Sequence, residues 1–387
     1  MFYNKNMSSS LDQLHLLTDQ MHLEPDLDQG AHPPVCGTSE SDPGMIYRPA
    51  GGPCKAVLKT LLTSACERDC FYCPFRAGRD FRRATMQPDE MASAFMHMHR
   101  SGAVDGMFLS SGVAGGGIRT QDRLIDTAEL LRQRQDYRGY LHLKIMPGSD
   151  RDQVLRAMQL ADRVSINLEA PNDRRLAQLA PHKVFLEELL RPLRWAEQIR
   201  RTLPGQQGWH GRWPSLVTQF VVGGADETDL ELLSATSYLY SQLHLARVYF
   251  SGFNPVSDTP LENRPPENPW REFRLYQASF LLRDYGFDLE DLPLTPTGSL
   301  PLEADPKVLW AQANLSQAPV EINRADRPQL LRVPGIGPRS VEKLLAARRL
   351  GQLRSLEALR SLGVNARSAA PFILLDGHKP PLQLPLF

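Results

Sequence analysis

From Lys55 to Asp284 short apolar runs alternate with helix-length amphipathic segments, and this rhythm restricts the fold more than any other feature. Strands are expected at Val57–Leu62, Gly106–Leu109, Leu141–Met146, Val164–Leu168, Leu216–Val222 and Val248–Ser251. Helices are expected near Pro88–Arg100, Gln121–Gln135, Asp150–Leu160, Lys183–Arg201, Glu227–Leu243 and Trp270–Asp284. Strands that each lead into a helix imply a parallel sheet wound by right-handed crossovers. Six units fall short of the eight that close a TIM barrel. The expected class is therefore α/β, a partial, open (β/α)6 TIM-like barrel, with a doubly wound sheet as the alternative. In either fold functional groups gather at the C-terminal ends of the strands.

The first such end carries Cys66-Glu67-Arg68-Asp69-Cys70-Phe71-Tyr72-Cys73, three thiols at the spacing C-x3-C-x2-C. Thiolates favour iron–sulfur clusters, zinc or Cu(I). Three of them on a four-iron cluster leave one iron free for a substrate, whereas a zinc knuckle needs a fourth ligand, for which Cys36 and Cys54 are the candidates. The spacing, with Tyr72 before the third cysteine, resembles the signature of the radical S-adenosylmethionine (radical SAM) superfamily. That resemblance implies a [4Fe–4S] cluster on Cys66, Cys70 and Cys73 and SAM on the open iron. Reductive cleavage of SAM then releases a 5′-deoxyadenosyl radical. Cys36 and Cys54 are expected to be buried or spare thiols.

The resemblance also assigns cofactor contacts to the strand ends. Ser110, Ser111 and Gly112, followed by Gly115-Gly116-Gly117, stand where the superfamily carries a Gly-Gly-Glu-like element, but no glutamate is present. Asn167 and Glu169 alternate with apolar residues, so they share a strand face suited to the ribose or amine of SAM. Gln219, Val222 and Gly223 lie in a stretch resembling the family's adenine-binding segment, and Tyr72 is counted with this set. Lys144 reads as a snorkelling lysine. Arg76, Arg79, Arg82 and Arg83 are expected to form a basic rim. No residue is singled out as catalytic. No H-E-x-x-H, G-x-S-x-G or Walker pattern supports a hydrolase or NTPase.

Lys+Arg and Asp+Glu both number 44, so net charge names no partner. Placement says more. Leu330–Ser340 contains Val-Pro-Gly-Ile-Gly-Pro-Arg, which resembles a helix-hairpin-helix module. Gly335 and Gly337 permit a tight hairpin, and Pro338 suits the first turn of the following helix. The backbone at Gly335, Ile336 and Gly337, with Arg339 and Lys343 beside the helix N-terminus, then forms a phosphate site that positions without reading bases. Glu321–Leu350 holds seven Arg/Lys against three Asp/Glu, a local +4. A hairpin that binds protein, or only packs, is the competing reading.

The expected organisation is an N-terminal arm (1–54), the barrel (55–291), a Pro-rich linker (292–318) whose middle, Asp305–Asn314, is expected to form a short packed helix, a small all-α hairpin module (319–377) and a tail (378–387). Over residues 45–375 the ordered set resembles the putative DNA modification or repair radical SAM proteins. That likeness implies a nucleic-acid substrate, DNA before RNA. It also implies an electron donor such as flavodoxin or ferredoxin, and a uracil-DNA-glycosylase-like partner. The alternatives are an iron–sulfur DNA-binding or electron-transfer protein without radical chemistry, and a radical enzyme whose hairpin docks a protein. Cysteine usage points to a reduced cytoplasm, and neither a signal peptide nor a membrane span is expected.

Overall fold

The computed structural model describes residues 3–20, 46–47 and 56–381. Cys36 and Cys54 lie outside the described residues. The chain divides into two units, residues 1–227 with 238–272, and residues 228–237 with 273–387.

The first unit contains α1 (Tyr3–Asp19), the two-residue β1 (Ile46–Tyr47) and six parallel strands: β2 (Val57–Leu61), β3 (Gly106–Ser110), β4 (Tyr140–Lys144), β5 (Arg163–Ser165), β6 (Ser215–Val222) and β7 (Arg247–Gly252). Between them run α2 (Pro88–Arg100), α3 (Gly117–Glu129), α4 (Arg151–Leu160), α5 (Asp173–Leu179), α6 (Arg191–Thr202) and α7 (Asp229–Leu243). α8 (Pro269–Asp284) follows β7, and the division between units falls inside α7 and α8. The strand order is sequential from β1 to β7, with only β1 antiparallel. Sequential order with right-handed crossovers puts every crossover helix on one face and leaves the other concave. A doubly wound sheet needs a reversal of order, and none occurs. The sheet is thus a curled, open half-barrel. The β2–α2 connection is a capped one: Gln87 and Glu90 form a reciprocal box with Pro88 in the first turn. β5 stops at Ser165, three residues short of expectation, and beyond it Glu169 adopts φ +65°.

In the second unit the Pro-rich stretch expected as a linker is packed by hydrogen bonds along its length, and the short helix expected in its middle is present. The Leu300 amide donates to Asp229 at 2.7 Å, and α9 (Pro306–Asn314) is capped by the Asp305 carboxylate. Then come β8 (Val320–Glu321), α10 (Arg327–Arg332), α11 (Pro338–Ala347), α12 (Leu356–Ser361), α13 (Ala366–Ala369) and β9 (Ile373–Leu374). β8 and β9 pair in parallel, so the module is not all-α. This pair ties its two ends together around an apolar core of Ile322, Leu330, Val333, Ile336, Val341, Leu344, Leu359 and Ile373.

Candidate active site

The cysteine loop follows β2 without regular structure, and each residue between the first two thiols anchors it to residues beyond the loop. Glu67 accepts the amides of Gly115 and Gly116, both at 3.0 Å. Arg68 pairs with Glu188 at 2.6 Å and donates to the His182 carbonyl. Asp69 meets His182 Nδ1 at 2.7 Å. Backbone bonds from Phe71 to Leu179 and from Glu67 to Val113 complete the frame. Gly112 is demanded by close approach, since a Cβ there would overlap the Ala65 carbonyl.

The expected basic rim is mostly turned inward. Arg83 donates to the carbonyls of Ser64, Phe75, Arg76 and Arg79 and stacks on Phe81. Arg79 holds the Pro74 and Ser257 carbonyls, and Arg76 the Asp69 carbonyl. These arginines satisfy the acceptors of a loop that has no ladder of its own. Arg82 alone among them is fully exposed.

Cys66, Cys70, Tyr72 and Cys73 line one pocket at the C-terminal ends of the strands, together with Ser111, Gly112, Asn167, Glu169 and Gln219. Ser110 is buried beside it. Val222 and Gly223 do not line it. The Val222 side chain is fully buried, and Gly223 spends its amide on Glu227 and its carbonyl on Arg264. Asn167 and Glu169 reach the pocket although they lie beyond the strand. Alternation along β5 is not the reason they meet there.

The sequence reading missed Lys183, taken there only as a helix start. It lines the pocket and contacts Glu169 at 3.1 Å, both side chains being buried. Burial would raise the Glu169 carboxyl, but Lys183, Lys144 and the Tyr72 hydroxyl hold it below the usual range. Burial would lower the Lys183 ammonium, and Cys70 and Glu169 drive it up instead. Burial, then Glu169 and the neighbouring thiols, push the Tyr72 phenol well up. The Cys70 thiol is raised by burial against the pull of Lys183. No spacing rule links Glu169 to a lysine fourteen positions on; the pairing is a product of the fold. Lys144 lines the same pocket and its charge reaches Glu169.

The thiols suit an iron–sulfur cluster. Among the described residues no three His, Cys, Asp or Glu stand close enough around one point to hold a metal ion. All three cysteines line a single pocket. Cys66 Sγ accepts the Val113 amide and Cys73 Sγ the Phe75 amide, both at 3.4 Å, as cluster-bound sulfur does.

The five residues expected to meet nucleic acid lie in the second unit, at the α10–α11 turn. Gly335 has φ +79°, and a Cβ there would overlap the Asn365 carbonyl. Gly337 has φ −111° and caps α11, so the backbone strain belongs to Gly335 alone. Ile336 is buried, and its carbonyl accepts the Lys307 ammonium at 2.7 Å. Arg339 and Lys343 are exposed on α11.

Several solved structures resemble the chain distantly. Methylornithine synthase (PylB) is 14% identical over 59% of this chain and 61% of its own, with a TM-score of 0.46. The FeFe-hydrogenase maturase HydG from Carboxydothermus hydrogenoformans is 16% identical over 59% and 51%, at 0.47. The radical S-adenosylmethionine methyltransferase TsrM from Kitasatospora setae is 13% identical over 53% and 38%, at 0.41. The chain thus spans less than two thirds of the length of each. No curated protein matches it. The model of the Radical SAM superfamily matches residues 60–234, from β2 into α7. Proteins of this superfamily bind a [4Fe–4S] cluster and S-adenosylmethionine. The segment that bears the three cysteines is a radical SAM superfamily domain.

Proposed function

We propose that the chain is a radical SAM enzyme that modifies or repairs nucleic acid, DNA before RNA. The observation that carries this reading is the convergence of Cys66, Cys70, Cys73 and the Lys183–Glu169–Tyr72 network on one pocket within the matched segment. A [4Fe–4S] cluster and SAM, when bound, supply one-electron cleavage that yields a hydrogen-abstracting radical. The chain's own groups do the rest. Cys66, Cys70 and Cys73 would hold the cluster, with the Val113 and Phe75 amides donating to the Cys66 and Cys73 sulfurs. Glu169, kept ionised by Lys183, would accept hydrogen bonds from SAM, and Asn167, Gln219, Ser111, Gly112 and Tyr72 would surround it. Phe75 and Phe108 make parts of the wall apolar and exclude water. An electron donor of the flavodoxin or ferredoxin kind is required.

The nucleic-acid part of the reading is supported by the second unit. Its groove beside the α11 N-terminus is lined by Arg283, Arg327, Gly337 and Arg339. Arg324, Arg339, Lys343 and Arg349 are exposed. We read the turn as a helix-hairpin-helix that holds the sugar–phosphate backbone.

Two measurements on the anaerobically reconstituted full chain test this. With SAM and dithionite it should release 5′-deoxyadenosine. Cys70→Ala should lose both the iron and the product, whereas intact iron without product favours the iron–sulfur reading. Fluorescence anisotropy against short DNA and RNA should give non-specific affinities of about 10⁻⁴ to 10⁻⁶ M that fall steeply with salt. Arg339→Ala should lower the salt slope by roughly one. Absence of binding at low salt would remove nucleic acid from the reading while leaving SAM cleavage intact.

A further inference from the structure

The α10–α11 turn is held from inside the second unit by a charged side chain. Lys307, in the first turn of α9, is 8% exposed, and its ammonium donates to the Ile336 carbonyl at 2.7 Å. Ile336 is itself buried and directly precedes Gly337, the N-cap of α11. A carbonyl placed just before a helix stands outside the ladder, so it needs a donor from elsewhere. A neutral hydroxyl or amide would satisfy it. An ammonium taken out of water is the costlier choice, and the needs of one carbonyl do not account for it.

The same carbonyl belongs to the Ile336–Gly337 peptide, which is trans. A trans peptide points its C=O and N–H in opposite directions. With the carbonyl fixed on Lys307, the Gly337 amide is aimed away from the lysine. Gly337 lines the groove at the α11 N-terminus, with Pro338, Arg339 and Ser340 beyond it. A cation on the carbonyl also polarises the peptide and makes its N–H a stronger donor, as happens along a chain of hydrogen bonds.

We propose that Lys307 is a positioning residue of the hairpin, whose ammonium orients and polarises the Ile336–Gly337 peptide so that its amide grips a nucleic-acid phosphate. The proposal rests on the reading of this turn as a phosphate site and adds a control from behind it, whereas Arg339 and Lys343 are exposed. Burial brings the Lys307 pKa down to about 7, against the pull of Asp305, the cap of its own helix. From α8, the Tyr285 ring centre lies 4.4 Å from the ammonium. Burial, then Asp284 and Asp305, push that phenol up, so it stays neutral. From α10, Arg332 is taken by Asp291 and stacks on Phe287. The turn itself, residues 333–338, carries no titratable side chain. Affinity for phosphate therefore falls as rising pH takes the proton from Lys307.

Fluorescence anisotropy on the reconstituted full chain, with a short dye-labelled DNA duplex at constant low salt, tests it at about pH 6 and about pH 8.5, either side of the titration. A phosphate on the amide would lie roughly 7 Å from the ammonium, one peptide and two hydrogen bonds away. At that separation, with the phosphate solvated, losing the charge corresponds to roughly three- to tenfold in affinity. Wild type should weaken by that factor between the two pH values. Binding at neutral pH should take up a fraction of a proton, read by calorimetry in buffers of different ionisation enthalpy. Lys307→Met should bind at both pH values as wild type does at the higher one. Lys307→Arg, which keeps its charge, should show no fall. A lysine that only ties the turn down moves the thermal midpoint and leaves the pH profile and proton uptake flat. The wild-type profile and the proton uptake need no variant to fold. A pH-independent wild type, the same fall in Lys307→Met, or no proton uptake overturns the proposal and leaves the nucleic-acid reading standing. Absence of wild-type binding at the lower pH and low salt removes that reading, and this proposal with it.

Discussion

Two buried lysines, one in each unit, meet the same desolvation and respond in opposite directions. Lys183 is ringed by Cys70, Glu169 and Cys73, and their charges more than cancel its burial, so its ammonium is held more firmly than in water. Lys307 has only Asp305 to oppose burial, and its pKa falls from the ordinary 10.5 to about 7. Its ammonium donates to the Ile336 carbonyl and lies 4.4 Å from the centre of the Tyr285 ring. The difference lies in the counter-charge each neighbourhood supplies. The pocket of the first unit keeps its own ion pair and thereby fixes the cysteine loop. The hairpin of the second unit is backed by a lysine at the edge of ionisation, while the cations that face outward, Arg339 and Lys343, are exposed.

The comparison breaks most readily at Lys183. Lys183→Met leaves the Glu169 carboxylate buried without its partner, and breaking a buried pair costs about 3–5 kcal/mol. Chemical denaturation should show that loss, and Lys183→Met with Glu169→Gln together should recover most of it. If the single variant is as stable as wild type, the network does not hold the loop.

A smaller effect separates the two hairpin glycines. Gly335→Ala must adopt a left-handed φ and meet the Asn365 carbonyl, at a cost of roughly 1–3 kcal/mol. Gly337→Ala has ordinary φ and only the Tyr285 hydroxyl nearby, and as a helix cap it should cost below about 1 kcal/mol. Equal denaturation midpoints for the two variants would show that the strain is not at Gly335.

The other lysine of the pair, Lys307, is read through its pH response. Its folded pKa of about 7 lies below the unfolded 10.5. Between those values the unfolded chain holds a proton that the folded chain has released. Stability therefore rises with pH from about 7 toward 10.5, by at most ~1.4 kcal/mol per pH unit, and this contribution is flat below that window. Denaturant midpoints measured across the window should show the slope in wild type and its loss in Lys307→Met. The same slope in both would assign it to another group.

Much of the barrel was legible because its periodicity is repetitive. The helix expected at Pro88–Arg100 has those bounds, and all six strands lie within a few residues of expectation. α5 was not foreseen, since Asp173–Leu179 is too short to show a clear period. The rim arginines were misjudged for a different reason. Arg76, Arg79 and Arg83 look like a solvated basic face, and only the loop's unsatisfied carbonyls turn them inward.

By itself the sequence determined the strand–helix rhythm, the three-thiol loop at the first strand end and the Gly-Ile-Gly turn before α11. Each is encoded by neighbours within a few residues, where spacing and backbone freedom speak directly. Tertiary structure alone decided that Lys183 neutralises Glu169, that Glu67 caps Gly115 and Gly116, and that Lys307 holds Ile336. Those pairings join residues from 14 to 49 positions apart (169 to 183, 67 to 116). No local period records them, because burial and charge compensation act between surfaces that meet only after the sheet has curled.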